Sequence, residues 1–333
     1  MMRPFSYTRV SDPATAVEEV ASDPDSAFLA GGTTEVDLIR IGVARPRRVV
    51  DINALPISRI EEAPDGGVRL GGLARMSDVA AHPVVRERYP VLTRALESGA
   101  SPQLRNMATM GGNMMQRVRC SYFRDGDAAC NKRAPGSGCA AIGGVNRGHA
   151  VLGTSEHCIA VHPSDAAVAL TALEAVVRLR GPDGERSVPV GDFFLPPGDT
   201  PEREHPVEHG ELITAIDVPP VPAARTSVYL KVRDRESYEF ALASAAVVLR
   251  VQDGAVAEAR IGLGGVATTP WRAHRAEEAL AGAPAEGASY ELAAVREMRE
   301  AVPRSMNAYK IELAERTMVR ALRTAAARAE GVG

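Results

Sequence analysis

All four cysteines of this 333-residue chain, Cys120, Cys130, Cys139 and Cys158, fall in one Gly- and Arg-rich stretch, with nine, eight and eighteen residues between successive members. Thiols used as small buried hydrophobes would be scattered, whereas thiols gathered in one segment point to ligands around one centre. Such a set takes an iron–sulfur cluster or a structural zinc, with disulfides as a third alternative. Zinc sites usually carry CxxC knuckles; none occurs here, and the wide spacings let separate loops approach a larger object from several sides. Between 114 and 157, Arg117, Arg119, Arg124, Lys132, Arg133 and Arg147 outnumber Asp125, Asp127 and Glu156. A positive surround suits a net-anionic, thiolate-rich centre. His149, His157 and His162 are alternative ligands. With four thiols at hand they read instead as hydrogen-bonding partners of a loop carbonyl or a sulfur.

Two glycine loops offer a different chemistry. LAGGTTEV at 29–36 follows an apolar run and precedes a periodic segment, so its backbone N–H groups can converge on an anion such as a pyrophosphate. The alternative is a plain Gly-Gly turn between strand and helix, and the segment matches neither GxGxxG nor the Walker pattern. ATMGGNM at 108–114 supplies a second Gly-Gly, flanked by Thr109 and Asn113, whose side chains can donate to phosphate or ribose oxygens.

Elements must position these loops. Residues 11–21 open with a Ser/Asp cap, carry Pro13 near the first turn and place Ala16, Val17 and Val20 on one face, which predicts a short helix. Ala27–Ala30, the glycine loop, EVDLIRIG and Arg48–Ile52 then read as strand, loop, helix, strand. VRLGGL at 68–73 and SDVAA at 77–81 repeat strand-then-helix, and Val91–Ser98 reads as a helix. The first 220 residues therefore look α/β. A Pro-rich, charged stretch at about 196–224 surrounds a strand, ELITAIDV, and marks a boundary. Beyond it, SVYLKVRDR, ALASAAVVLRVQ and AVAEARIGLGGV are β-like and precede two helical segments, RAHRAEEALAG and NAYKIELAERTMVRALRTAAARA, the order of a smaller α+β domain.

At 45% hydrophobic and 24% charged residues, the composition is that of a globular chain able to bury a core. A net charge of −3 and 4% aromatics exclude the basic, stacking face of a nucleic-acid binder. No apolar stretch of about 18 residues occurs, so no membrane span is expected. The expectation is a cytoplasmic chain, with co-export on a partner's twin-arginine signal as the alternative.

AGGTT and RNMATMGGN, followed by HPSDAAVALTALEA at 162–175, ELITAIDVP at 211–219, YLKVRDR at 229–235 and LGGVATTPWRA at 263–273, resemble the FAD-binding subunit of the molybdenum hydroxylases. That family includes xanthine dehydrogenase, aldehyde oxidoreductase and carbon monoxide dehydrogenase. The resemblance runs in order over nearly the whole chain. It implies an α/β and α+β fold: a two-lobed PCMH-type FAD-binding domain over 1–221, with lobes of about 1–53 and 54–221, then a smaller α+β carbon monoxide dehydrogenase flavoprotein-type C-terminal domain over 225–328. It also implies that Leu29, Ala30, Gly31, Gly32, Thr33, Thr34, Glu35 and Val36 wrap the FAD pyrophosphate. Thr109, Met110, Gly111, Gly112 and Asn113 complete the cradle, Asp165 binds ribityl or ribose hydroxyls, Ile213 is an apolar contact, and Lys231 lies near the isoalloxazine. Read alone, Ile213 could be core and Asp165 a helix N-cap. An aromatic that stacks on the flavin in some relatives has no counterpart in ESGASPQ at 97–103.

In most relatives a short linker joins the second Gly-Gly-Asn to the Ser-Asp motif, whereas Asn113 and Asp165 are 52 positions apart here. The added segment, about 114–161, holds all four cysteines. It resembles that of a subgroup of aldehyde oxidoreductases whose flavin subunit carries an extra [4Fe–4S] cluster, down to the CSYFRD and PGSGC pieces. The implied function is electron transfer in a heterotrimer. A large subunit with the molybdenum cofactor oxidises an aldehyde or N-heterocycle, a small subunit holds two [2Fe–2S] clusters, and this chain passes electrons from FAD to an external acceptor. The alternatives are the FAD subunit of a xanthine or N-heterocycle dehydrogenase, a self-contained FAD oxidoreductase and a zinc-loop scaffold.

Overall fold

The computed structural model describes residues 3–331 and resolves three sheets. The first is parallel: β1 (Ser6–Arg9), β2 (Ser26–Leu29) and β3 (Arg48–Asp51) lie in the order β1-β3-β2. Between them run α1 (Pro13–Ala21) and α2 (Glu35–Arg40). Asp12 caps α1, its Oδ1 accepting from the Thr15 N–H at 2.9 Å, and Ala16, Val17 and Val20 face the small core, as their spacing predicts.

The second sheet has the order β4-β5-β8-β6-β7, every pair antiparallel. β4 (Ile60–Glu62) and β5 (Val68–Gly71) are followed by five helices: α3 (Met76–Ala81), α4 (Pro83–Arg88), α5 (Pro90–Ser98), α6 (Pro102–Arg105) and α7 (Met110–Met114). The cysteine segment adds only two single turns, α8 (Ser121–Arg124) and α9 (Ala140–Gly143). Then come α10 (Asp165–Ala172), the hairpin β6 (Val176–Gly181) and β7 (Gly184–Pro189), α11 (Val190–Phe193) and β8 (Leu212–Val218). Helices and strands are mixed through the first 220 residues as expected, with parallel pairing confined to the first sheet. β5 finds its partner β8 more than a hundred residues later, a pairing that local strand-then-helix alternation does not encode.

A 3-10 turn (Pro222–Thr226) leads into the third sheet, ordered β12-β11-β10-β9 and antiparallel. It comprises β9 (Val228–Val232), β10 (Ala243–Gln252), β11 (Ala255–Gly264) and β12 (Trp271–Arg272), covered by α12 (His274–Leu280), α13 (Gly287–Met298) and α14 (Tyr309–Ala329). Every residue of α10 is buried, because it lies between α5 and the third sheet. Close packing there needs small residues: a Cβ on Gly262 of β11 would sit 2.5 Å from the Val168 carbonyl oxygen. No helix among the described residues is long and apolar enough to cross a membrane.

Candidate functional site: a dinucleotide cleft beside a four-thiol cavity

The chain leaves β2 through the Gly-Gly loop and enters α2. Among the described residues, no acceptor lies within hydrogen-bond reach of the backbone N–H groups of Gly31, Gly32, Thr33, Thr34 and Glu35. Five adjacent free amides at a helix start form a cradle for an anion. They line a cleft of about 350 Å³ together with Thr109, Gly111, Gly112 and Ile213, while Phe28, Leu38, Val43 and Ala44 add apolar surface. A ligand that combines an anionic group with apolar surface fits that lining.

The second loop works differently. Its amides are already used: Met110 N–H donates to Ala74 O, Gly111 N–H to Gly72 O at 2.8 Å, and Gly112 N–H to Thr109 Oγ1 at 3.1 Å. Thr109 caps α7 with its lone pair, which leaves its hydroxyl proton free to donate. Gly31 lets the loops touch, since a Cβ there would meet the Met107 carbonyl oxygen at 2.0 Å. A side-chain chain locks the junction: Asn53 Nδ2 donates to Ala30 O at 2.8 Å, Arg75 Nη2 donates to Asn53 Oδ1 at 2.9 Å, and Arg75 Nη1 donates to Met107 O.

Several expected residues stand elsewhere. Met110 is fully buried and Val36 exposed, so neither lines the cleft; Leu29 ends β2. Asn113 turns away and accepts from Ser164 Oγ at 2.5 Å. Asp165 is not an N-cap: Ser164 caps α10 by accepting from Ala167 N–H at 3.0 Å, and Asp165 occupies the first helical position. Asp165 opens onto an adjoining cleft of about 310 Å³ shared with Arg119, Cys120, His149 and Phe240. Lys231 lines neither cleft. Its Nζ lies 2.7 Å from Asp165 Oδ2 and donates to Ser98 O at 3.1 Å, and Tyr229 Oη donates to Asp165 Oδ1 at 2.6 Å. Lys231 therefore holds Asp165 from behind.

The four cysteines do come together. All are free thiols lining one small cavity with Lys132, and no carboxylate lines it. Their loops are organised by polar contacts more than by burial. Cys130 and Cys139 pair as an isolated antiparallel bridge, Gly138 N–H donates to Asn131 Oδ1 at 2.8 Å, and Arg133 Nη1 donates to the carbonyls of Tyr122 and Phe123. Burial pushes the Cys120 thiol up to about 11, so ligation there needs a metal charge to displace the proton. His149 Nε2 lies 3.2 Å from Cys120 Sγ, and burial holds this imidazole down at about 4, neutral and suited to hydrogen-bond the sulfur. Among the described residues, no three His, Cys, Asp or Glu side chains converge as a single metal ion would require.

The comparisons with known proteins fall on these features. The FAD binding domain in molybdopterin dehydrogenase matches residues 3–221, and the CO dehydrogenase flavoprotein C-terminal domain matches 228–325. The chain is 46% identical to the aldehyde oxidoreductase FAD-binding subunit PaoB of Escherichia coli over 98% of this chain and all of that one. It is 26% identical to the putative xanthine dehydrogenase FAD-binding subunit XdhB of the same organism, over 90% of this chain and 87% of that one. Among solved structures, carbon monoxide dehydrogenase from Hydrogenophaga pseudoflava superposes with a TM-score of 0.77 at 28% identity, covering 98% of this chain and 99% of that one. The chain belongs to the FAD-binding medium subunits of the molybdenum hydroxylases.

In this family setting the cleft is the candidate FAD site, and three residues that line or shape it escape motif reading. Asn53 and Arg75 act by joining distant loops. Arg117 comes from the cysteine segment and lines the same cleft. A half-buried charge beside a glycine loop would have been the signal, but its proximity depends on the fold.

Proposed function

We propose that this chain is the electron-transfer subunit of a heterotrimeric aldehyde oxidoreductase, which converts aldehydes to carboxylic acids. Its partners are a large subunit with the molybdenum cofactor and a small subunit with two [2Fe–2S] clusters, and it delivers electrons to an external acceptor. The substrate class follows the name of the PaoB relative. We read the complex as cytoplasmic, with export on a signal-bearing partner as the alternative.

The four thiols are assigned to a [4Fe–4S] cluster. All four cysteines line one cavity without a carboxylate, and a cubane takes one thiolate at each of its four irons, which is what supports the assignment. FAD, when bound, supplies the exchange between electron pairs and single electrons. The chain's own groups do the holding. The amides of 31–35 would hold the pyrophosphate, with the Thr109 hydroxyl as a further donor beside them and Ile213 as an apolar contact in the same cleft. Asp165, which opens onto the adjoining cleft and is held by Lys231 and Tyr229, would meet the ribityl hydroxyls only where the cofactor extends into that cleft, while Leu29, Val36, Met110 and Asn113 support the loops. The observation that carries the reading is Cys120, which lines both the four-thiol cavity and the cleft onto which Asp165 opens. Cys120 and His149 therefore stand between the thiol cavity and that adjoining cleft.

An anaerobic visible spectrum with iron, sulfide and zinc analysis, on the full chain and its co-expressed complex, tests this. The expected result is about four irons and four sulfides with one FAD per chain. Zinc in place of iron overturns the cluster, and a chain without FAD in both preparations overturns the cofactor reading.

A further inference from the structure

The charged side chains lining the FAD cleft are Glu35, Glu211 and Arg117. Glu35 stands in the cradle itself, and burial raises its pKa. A pyrophosphate diester is a dianion: the amides favour it, a carboxylate standing in the cradle opposes it, and a nearby cation offsets that opposition. Arg117 is the one cation lining the cleft among the described residues.

Its position is built. The guanidinium stacks on Phe123 at 4.9 Å from the ring centroid, Nη2 donates to Lys132 O at 3.3 Å, and Nε faces the Glu204 carboxylate. The next two arginines of the same segment grip the same loop. Arg119 Nη2 donates to Thr34 Oγ1 at 3.2 Å, and Arg124 Nη2 pairs with Asp37 Oδ2 of α2 at 2.6 Å. The cysteine segment thus embraces the start of α2 from outside, with Phe123 touching both Arg117 and the thiol cavity.

We propose that Arg117 binds the FAD pyrophosphate, so that the cysteine insertion supplies the cationic wall of the FAD site. The inference rests on the FAD reading and assigns part of that site to a segment outside both glycine loops. FAD retention then depends on the insertion being ordered.

The test is FAD titration of the deflavinated full chain at low and high salt, for wild type, Arg117→Leu, Arg117→Lys and Glu204→Gln. Removing a charge-assisted contact should weaken FAD binding about 10- to 100-fold in Arg117→Leu and flatten its salt dependence. Arg117→Lys should recover part of both, and Glu204→Gln should bind FAD at least as tightly as wild type. Wild-type affinity and salt dependence in Arg117→Leu overturn the proposal, as does equal weakening in the Leu, Lys and Gln variants, which marks a purely structural ion pair. Should Arg117→Leu not fold, phenylglyoxal labelling of the wild type decides. FAD should protect Arg117, and equal labelling with and without FAD overturns the assignment. A wild-type chain that binds no FAD overturns the cofactor reading itself and is seen before any variant is compared.

Discussion

Gly31 has no room for a methyl group. A Cβ there would stand 2.0 Å from the Met107 carbonyl oxygen, and that atom is fixed by Arg75, so the backbone cannot easily withdraw. Gly31→Ala should therefore force the two loops apart, with a stability cost of about 1–3 kcal/mol and a larger loss of FAD, because the amide cradle loses its shape. Flavin absorbance per chain, read beside the thermal midpoint, checks this; full FAD occupancy in the variant would refute the contact. Asp165 and Lys231 make a second residue-scale case, with side chains 9% and 4% exposed. Lys231→Met leaves the Asp165 carboxylate buried without its cation, and breaking such a pair costs about 3–5 kcal/mol. Asp165→Asn combined with Lys231→Met should recover much of that loss in denaturant midpoints. If Lys231 instead served the flavin directly, the single variant would change FAD affinity and leave the midpoint alone.

At the scale of elements, α11 and the residue after it pack against two neutral imidazoles, His162 from the segment before α10 and His205 from the strap after α11. His162 packs edge-on against Phe194 at 4.5 Å, His205 against Phe193 at 5.2 Å, and His205 Nε2 reaches Met114 O at 3.2 Å. Burial pushes His162 down to about 3 and His205 to about 4. In the unfolded chain both titrate near 6.5, so between about pH 4 and 6.5 the unfolded state binds more protons than the folded one. Stability contributed by the neutral rings is present above that window and is lost as pH falls through it, by up to about 1.4 kcal/mol per pH unit for each histidine. Denaturant midpoints at neutral pH and at the acid end of the window should show the loss, and His205→Gln should reduce the slope. Elements whose cause is local were legible in the sequence: α1 from its cap and apolar face, α2 and the cradle from strand, Gly-Gly and helix, α5 from periodicity. β1 and the β6–β7 hairpin were not read, although GPDG at 181–184 is a turn signal and Gly184 adopts φ 118°. The glycine loops were legible because backbone geometry demands glycine. Asn53, Arg75 and Arg117 were not, because their roles exist only once distant segments meet.

Over the whole molecule, the cysteine segment is not a free appendage of the FAD-binding lobes, because residues 146–151 are sewn to residues 302–310 of the C-terminal part. Asn146 Oδ1 accepts from Met306 N–H at 3.0 Å, Val302 N–H donates to Val151 O at 2.7 Å, and Asn307 Nδ2 donates to Ala150 O at 3.0 Å. Lys310, fully buried at the start of α14, donates to Gly148 O at 2.9 Å and to Gly265 O at 2.6 Å, and burial lowers its pKa to about 7. An amine buried on two carbonyls is costly unless both contacts persist, so it ties the third sheet to the segment that carries the thiols. The main core is shared as well: Tyr229, Ala246 and Val248 of the third sheet pack into the core built on β5, α5 and α10. A chain cut after residue 221 would expose that face, leave the carbonyls of 148–150 without donors and free His149 from its support beside Cys120. We expect the fragment to retain neither iron nor FAD, and the full chain to unfold in one cooperative transition by both visible absorbance and far-ultraviolet dichroism. A fragment that binds iron and FAD at full occupancy, or a full chain in which colour is lost well before secondary structure, would show that the FAD-binding lobes organise the cysteine segment without the C-terminal part.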